Sequence, residues 1–356
     1  MRVVVAMSGG VDSSVAASLL TQAGHEVIGL SMQLYDQRQS PDAFGSCCSL
    51  DDLHDARRVA ATLGIPHYIV NFEERFQRHV VRNFVSEYAA GRTPIPCVHC
   101  NADLKFATLV ERAEALDAAA VGTGHYARVV FDETAGRYRL LRSVDAEKDQ
   151  TYFLFSLTQA QLARAMFPVG HLRKDEVRAH ARDRRLAVAD KPDSHEICFV
   201  PDGDAGGFVE RNVDIETALP EAELVDTSGR VLGSHRGVHR LTVGQRKGLG
   251  LAGGVPLYVL SLDAAEARVV VGPREELERR ELMASDVNWI SGEPPVEPHR
   301  ITARIRHRHL DAPATVTALS GERVRVVFDH PQVAITPGQA VVFYQGEDVV
   351  GGGWIE

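Results

Sequence analysis

Apolar and polar positions follow two different rhythms along the chain. From Arg2 to about residue 125, short apolar runs at Val3 to Met7, Val27 to Met32, Tyr68 to Asn71 and Ala119 to Thr123 alternate with longer stretches. These stretches, Ser14 to Ala23, Leu53 to Leu63 and Ala102 to Leu116, carry apolar residues at helical spacing. Short runs bounded by Gly, Pro or Asn predict buried strands. Their alternation with helices predicts a parallel sheet covered on both faces, with ligands at the carboxyl ends of its strands. Residues 151–200 read mainly as helices, with Leu172 to Leu186 rich in Arg and Lys. From about residue 225 the period becomes two, as in Ile301 to Ile305 and Arg323 to Phe328, with turn signals at Ser320-Gly321 and Pro337-Gly338. The expected architecture is α/β: an N-terminal doubly wound parallel-sheet domain over 1–205, a small central domain over 206–280 and a C-terminal β-barrel over 281–356. The loop-forming run Pro201 to Gly207 marks the first boundary.

The 356 residues, 44 % of them hydrophobic, suffice for a core in each of two or three domains. The apolar run behind Met1 is too short, and too soon broken by glycine, for a signal segment or a membrane span, so a cytoplasmic protein without a membrane partner is expected. In that setting the five cysteines favour redox, catalytic or metal chemistry over a disulfide framework. A net charge of −9 argues against a non-specific nucleic-acid coat, but a polyanion feels only the face it meets. Two acid-free basic runs stand out locally. One holds Arg236, Arg240, Arg246 and Lys247; the other holds Arg300, Arg304, Arg306 and Arg308 with His307 and His309. On a strand Arg304, Arg306 and Arg308 share one face and would form a stripe along a phosphate backbone; a solvated charged face is the plainer alternative.

Ser8-Gly9-Gly10-Val11-Asp12-Ser13-Ser14 follows the first apolar run and precedes a helical stretch. Glycines admit close approach to a phosphate, serines add donors, and a helix start presents free N–H groups, so the segment reads as an anion site. It lacks the Gly-Lys-Ser/Thr ending of a Walker A loop, so γ-phosphate transfer is not its natural chemistry. Asp12 is either a magnesium or pyrophosphate contact or a helix cap. Met32 lies beside the nucleotide or in the core, and the glycines of Gly122-Thr-Gly-His-Tyr126 allow backbone approach to the same ligand. His125 is open between structural and functional roles. Cys100, just ahead of a helical stretch, sits where a thiol loses its proton readily, and Cys198 is the second candidate nucleophile. Either is otherwise a small buried apolar residue.

The loop resembles the PP-loop of ATP pyrophosphatases, which cleave ATP between the α and β phosphates and adenylate a substrate oxygen. Further motifs follow it in order: Gly91-Arg-Thr-Pro94 with Cys97-Val-His-Cys-Asn101 and Lys105-Phe106, Gly124-His-Tyr126, Lys148-Asp-Gln150 with Tyr152-Phe-Leu154, Asp193-Ser194 with Ile197-Cys-Phe199, and Gly244 to Gly250. Together they resemble the bacterial tRNA-specific 2-thiouridylases over essentially the full length. The resemblance implies a PP-loop domain that binds ATP with Mg2+ through Ala6, Met7, Ser8, Gly9, Gly10, Val11, Asp12, Ser13, Met32 and Gly124, without assigning metal ligands. It implies tRNA contacts at Lys148, Asp149, Gln150, Arg306 and His307, and substrates among the tRNAs for Lys, Glu and Gln. The wobble uridine would be flipped into a pocket near Cys100, with Gly244 to Gly250 closing over it. Cys198 would carry a persulfide received from a cysteine desulfurase or a relay protein, and Cys100 would resolve it through a transient disulfide.

Two positions depart from the family pattern: Ile95 replaces Asn in Thr-Pro-Asn-Pro, and Cys97 replaces an aspartate proposed as acid or base in some members. The acid/base role is left open between His99 and Asp103. Cys97 also opens an alternative in which Cys97, Cys100 and Cys198 hold a [4Fe–4S] cluster. The adjacent pair Cys47 and Cys48 reads as structural. Two other classes stay in view: a PP-loop ligase of small molecules, which needs neither cysteine, and a non-catalytic tRNA-binding protein.

Overall fold

Arg2 opens the first strand of a parallel sheet in a computed structural model that describes residues 1–34, 50–193, 197–200, 202–214, 217, 219–251 and 255–356. Cys47, Cys48 and residues 194–196 of the Cys198 motif lie outside the described residues. The chain runs through β1 (Arg2–Ala6), α1 (Val11–Gln22), β2 (Glu26–Gln33), α2 (Leu50–Leu63), β3 (His67–Asn71), α3 (Glu73–Phe76), α4 (Arg82–Ala89), α5 (Pro96–His99), α6 (Ala107–Ala115) and β4 (Ala120–Gly122). A hairpin, β5 (Ala127–Asp132) and β6 (Arg137–Arg142), then precedes α7 (Gln159–Leu162), β7 (Ala165–Met166), α8 (Lys174–Asp183) and α9 (Ala205–Asn212). The parallel sheet has the order β3-β2-β1-β4-β7. Side chains alternate across it: Val3 and Val5 pack with α1, α2 and α8, while Val4 packs on the other face with α4, α6 and α9. Because β1 lies between β2 and β4, the loops after β1 and β4 meet at the point where the strand order reverses.

The expectation of a mainly helical stretch over 151–200 is corrected. Among the described residues only α7 and α8 are α-helical there, and Ala165–Met166 forms the edge strand β7, held by two residues of register against β4. The β5–β6 hairpin is also absent from the sequence reading. It joins the C-terminal sheet through the pairing of Asp348 with Leu141.

Four strands, β8 (Ala222–Val225), β9 (Val231–His235), β10 (Tyr258–Asp263) and β11 (Arg268–Gly272), form the central unit in the order β10-β11-β8-β9 around Leu224, Val259 and Val271. The C-terminal strands are β12 (Glu278–Trp289), β13 (His299–Arg304), β14 (Ala312–Ala318), β15 (Val324–Val333), β16 (Ala340–Gln345) and β17 (Asp348–Ile355). They pair in the order β12-β15-β14-β13-β16-β17, and β12 also pairs with β17, so six strands close into a barrel as expected. Thr93 is where the three units meet. Its N–H donates to Pro337 O at 2.9 Å, Gln339 Nε2 donates to its carbonyl at 2.9 Å, and its hydroxyl donates to Thr242 Oγ1 at 3.3 Å.

Candidate functional site

The loop after β1 is shaped by backbone geometry rather than by side-chain caps. Gly9 has φ +77°, and a Cβ there would lie 2.2 Å from the Asp52 carbonyl oxygen, so only glycine fits. Gly10 is the N-cap of α1 and supplies no side-chain cap; instead the hydroxyls of Ser13 and Ser14 donate back to Gly10 O at 3.2 and 2.8 Å. Asp12 therefore stands one residue inside the first turn and is not the cap. Gly124, after β4, lies so close to α1 that a Cβ would come within 2.5 Å of Ser13 N. A helix start without a capping side chain, walled by two glycines, is suited to an anion. Met7 and Met32 are both buried, Met32 among Val4, Leu30 and Phe76 in the core beneath β2.

A cluster of charges faces the head of α1. Lys174 Nζ lies 2.8 Å from both Asp12 oxygens and 2.8 Å from Asp193 Oδ1. Lys148 Nζ reaches Asp193 Oδ2 at 2.7 Å, and an Arg178 nitrogen reaches Asp193 Oδ1 at 3.0 Å. Burial alone would raise the Asp193 pKa, but the ammonium groups of Lys148 and Lys174 outweigh it and hold the carboxyl at about 2. Tyr126 Oη donates to Asp12 Oδ1 at 2.8 Å; burial, then the Asp12 charge, pushes the phenol upward. Lys191 Nζ ties Gly9 O at 3.1 Å to Asp52 and Asp55 at 2.6 and 2.7 Å. His125 Nδ1 shares a 2.8 Å hydrogen bond with the Thr123 hydroxyl and packs against Phe106 and Phe167. Burial, then the Lys105 charge, lowers its pKa to about 3, so the ring is neutral. Nothing local in the sequence marks Lys174, Arg178 or Lys191 as site residues, although the stretch Leu172 to Leu186 is basic.

Cys100 is not ahead of a helix, as the sequence suggested, but inside one. Helical structure starts at Pro96, the first position of α5, so Cys97 occupies the first turn. Cys100 opens a π-helical stretch, Cys100–Phe106, that runs on into α6. The dipole effect fades within the first turn and so bears on Cys97 more than on Cys100. Cys97 is exposed, whereas Cys100 is 7 % exposed. Cys100 and Cys198 share one apolar cluster, with Ile197 and Phe199 beside Cys198. Among the described residues no three Cys, His, Asp or Glu side chains gather as a metal site, so the cluster alternative gains no support. His99 stacks on Trp354 with centroids 4.7 Å apart, and its Nδ1 lies 2.8 Å from Asp103.

The residues expected at an RNA face are split. Lys148 joins the charge cluster, but Asp149 is buried. Its Oδ1 accepts from Ser143 N at 3.1 Å, and its Oδ2 accepts from the Thr151 hydroxyl at 2.8 Å. Arg142 and Arg304 approach the same carboxylate at 3.5 and 3.8 Å while lying over the Tyr344 ring. Gln150 accepts from Tyr126 N at 2.9 Å. The expected stripe of Arg304, Arg306 and Arg308 does not form: β13 ends at Arg304, which turns to Asp311, and the chain then bends. Arg306 and Arg308 are exposed beyond the bend, lining a 460 Å³ hollow with His309 and Gln332. His307 lies against Phe153, centroids 4.5 Å apart. In the central run Arg240 is engaged by Glu210, whereas Arg236, Arg246 and Lys247 are exposed.

Comparison with known proteins adds to this geometry. A family profile described as "tRNA methyl transferase HUP domain" matches residues 1–202, a "tRNA methyl transferase PRC-barrel domain" matches 213–273, and an "Aminomethyltransferase beta-barrel domain" matches 279–355. The tRNA-specific 2-thiouridylase MnmA of Solibacter usitatus (strain Ellin6076) is 56 % identical over 99 % of each chain. That of Geotalea uraniireducens (strain Rf4) is 53 % identical over 100 % of this chain and 95 % of its own. Among solved structures, a 4-thiouridine synthetase–RNA complex with bound ATP covers 60 % of this chain and 50 % of that one. Its identity of 17 % and TM-score of 0.36 are too low to bear on function. The profile descriptions speak of methyl transfer and the relatives' names of thiolation, but the relatives match end to end at more than half identity. The chain belongs to the family of tRNA-specific 2-thiouridylases.

Proposed function

We propose that this chain is a tRNA-uridine 2-sulfurtransferase of the cytoplasm. It adenylates the wobble uridine of tRNA at its C2 oxygen with ATP, then replaces that oxygen with sulfur from a persulfide on Cys198, giving 2-thiouridine, AMP and pyrophosphate. The observation that carries the reading is the pairing of two features: a glycine-walled helix start faced by Lys148, Lys174 and Arg178, and two cysteines from distant segments in one apolar cluster beneath the adjoining strands. The first suits a triphosphate; the second suits sulfur transfer to the activated carbon. The names of the relatives agree with the second.

The uridine C2 oxygen attacks the α-phosphorus, the α–β bridging bond breaks, and its electron pair leaves on pyrophosphate. Donors at the head of α1 and the flanking cations balance the charge that develops on the leaving group. The outer persulfide sulfur of Cys198 then adds at C2 and AMP departs with the former C2 oxygen; the Cys100 thiolate attacks Cys198 Sγ, the S–S bond breaks with its electron pair on the sulfur now at C2, and a Cys100–Cys198 disulfide is left for a cellular thiol to reduce. The carboxylates of Asp12 and Asp193, now turned to ammonium groups at 2.8 Å, are hard oxygen donors that fit Mg2+. Mg2+ there would neutralise phosphate charge. Exposed Arg306, Arg308, Arg246 and Lys247 are the surface offered to the tRNA backbone, with Lys, Glu and Gln tRNAs as the expected substrates. A cysteine desulfurase or a relay protein supplies the sulfur.

The test is pyrophosphate release from ATP and Mg2+ with and without unmodified tRNA. Release that requires tRNA supports adenylation of the nucleic acid; release without tRNA, driven by a small molecule, would transfer the chain to the ligase reading. A product heavier by a methyl group would favour the profile descriptions instead.

A further inference from the structure

Cys97 and Cys100 lie three residues apart but differ in their access to solvent. Cys97 is exposed and Cys100 is buried, while half-buried Cys198 shares the apolar cluster of Cys100. Phe199 packs against Phe76, Phe84 and Phe208 with ring centroids 5.5, 5.0 and 5.2 Å apart, which tethers Cys198 to that cluster. A disulfide between Cys100 and Cys198 therefore forms under an apolar cover, where a protein-sized reductant reaches Cys198 poorly and Cys100 still less. The turn that carries the outer thiol is fixed. Cys100 N–H donates to the carbonyls of Pro96 and Cys97, so Cys97 to Cys100 make one helical turn. Positions i and i+3 of such a turn have Cα atoms about 5 Å apart, inside the range of about 4.4–6.8 Å that a disulfide spans. His99 stacked on Trp354, and Asn101 Nδ2 donating to Phe153 O at 3.2 Å, hold this turn from two sides. Cys-X-X-Cys is also a spacing in which a dithiol and its disulfide interconvert readily.

We infer that Cys97 is an exchange thiol, which moves the catalytic disulfide from the buried Cys100–Cys198 pair to a Cys97–Cys100 pair at the surface. The inference rests on the sulfur-transfer reading and adds a step to it. Cys97, its proton lost to solvent, attacks Cys100 Sγ in line with the bond to Cys198. The Cys97–Cys100 bond forms, the Cys100–Cys198 bond breaks, and the electron pair leaves on Cys198 Sγ. Cys198 is then a thiolate again, ready for the next sulfur, and no electrons have entered or left the protein. A cellular dithiol next attacks exposed Cys97, gives the pair two electrons and two protons, and itself becomes a disulfide.

Two measurements on the full chain test this. In the first, reduced wild type is equilibrated with glutathione disulfide without ATP or tRNA, alkylated and digested with trypsin, which leaves Cys97 and Cys100 on one peptide and Cys198 on another. The expected main product is the first peptide with an internal disulfide. A Cys100–Cys198 cross-link as the main product, or glutathione adducts with neither bridge, overturns the assignment. In the second, 2-thiouridine formation is followed with tRNA, ATP, Mg2+, cysteine, a cysteine desulfurase and reduced thioredoxin as the reductant. Cys97→Ser is expected to stall after the first turnover with the Cys100–Cys198 cross-link accumulating, at a steady rate at least about tenfold below wild type, and dithiothreitol, small enough to reach Cys198, to restore it. Cys97→Asp offers an acid or base but no thiol and is expected to stall in the same way. Turnover of Cys97→Asp or Cys97→Ser at the wild-type rate with thioredoxin overturns the inference. So does stoichiometric iron in anaerobic wild type that Cys97→Ser lacks, which would make the thiol a cluster ligand. The first measurement needs no substrate, so its failure is distinct from an absence of 2-thiouridine with wild type, which would sink the sulfur-transfer reading instead.

Discussion

Tyr126 Oη donates to Asp12 Oδ1 at 2.8 Å, tying the chain after β4 to the head of α1 across 114 residues of sequence. Burial first, and the Asp12 charge second, raise the phenol pKa, so the folded protein keeps the proton that the unfolded chain gives up near pH 10. This contribution to stability is complete below about pH 10 and is lost as pH rises toward the folded value. Tyr126→Phe should cost about 1–2 kcal/mol at pH 8. It should also flatten the alkaline fall in urea midpoint relative to wild type. Parallel midpoint curves for the two proteins between pH 8 and 11 would contradict this.

Glycine substitutions separate conformation from contact. Gly64 has φ +67° with open space around its missing Cβ, so Gly64→Ala bears backbone strain alone, about 1 kcal/mol. Gly9→Ala adds a 2.2 Å collision with Asp52 O to its φ of +77° and is expected to cost more than about 2 kcal/mol. Gly124→Ala, 2.5 Å from Ser13 N, should weaken ATP binding even where the fold survives. Thermal melts with ATP titration order the three, and a Gly9→Ala protein as stable and as tight for ATP as Gly64→Ala would refute the cradle.

The acid limb of stability should show two separate steps. His125, lowered to about 3 by burial and then by Lys105, is protonated in the unfolded chain first, so stability falls as pH drops from about 6.5 toward 3. Asp193, held at about 2, contributes stability that is full above about pH 3.9 and is lost as pH falls through 2. His125→Asn should flatten the first step and Lys148→Met the second, read as denaturation midpoints across pH 7 to 2. Unchanged slopes in both variants would count against these assignments.

Thiol accessibility should follow burial. In the reduced protein, brief alkylation followed by peptide mass spectrometry is expected to label exposed Cys97 first, half-buried Cys198 next and Cys100 last. Faster labelling of Cys100 than of Cys97 would place Cys100 outside the apolar cluster described above.

The nucleotide loop was legible in the chain because an apolar run, two glycines and a helix start are read locally. The six-stranded barrel was legible through its period of two. Pro96 is the start signal of α5, but the apolar spacing of a helix sets in only at Ala102, so the spacing alone places the helix start too late. Lys174 could not be found that way: it meets Asp12 across 162 residues, and only the packing of α8 on α1 brings them together. The stripe of Arg304, Arg306 and Arg308 failed for a related reason. The alternation continues in the letters, but Arg304 is captured by Asp311 and by buried Asp149, and the chain bends after it. The exposed ion pair of Arg300 with Asp329 is screened by water and does not redirect a strand; an arginine facing a buried carboxylate does.

Mass spectrometry of tRNA nucleosides after anaerobic incubation with ATP, Mg2+, cysteine and a cysteine desulfurase tests the central claim most directly. Wild type is expected to form 2-thiouridine, whereas Cys100→Ser and Cys198→Ser form none above background yet still release pyrophosphate with tRNA. No 2-thiouridine from wild type, or undiminished 2-thiouridine from both variants, would contradict sulfur transfer through this cysteine pair.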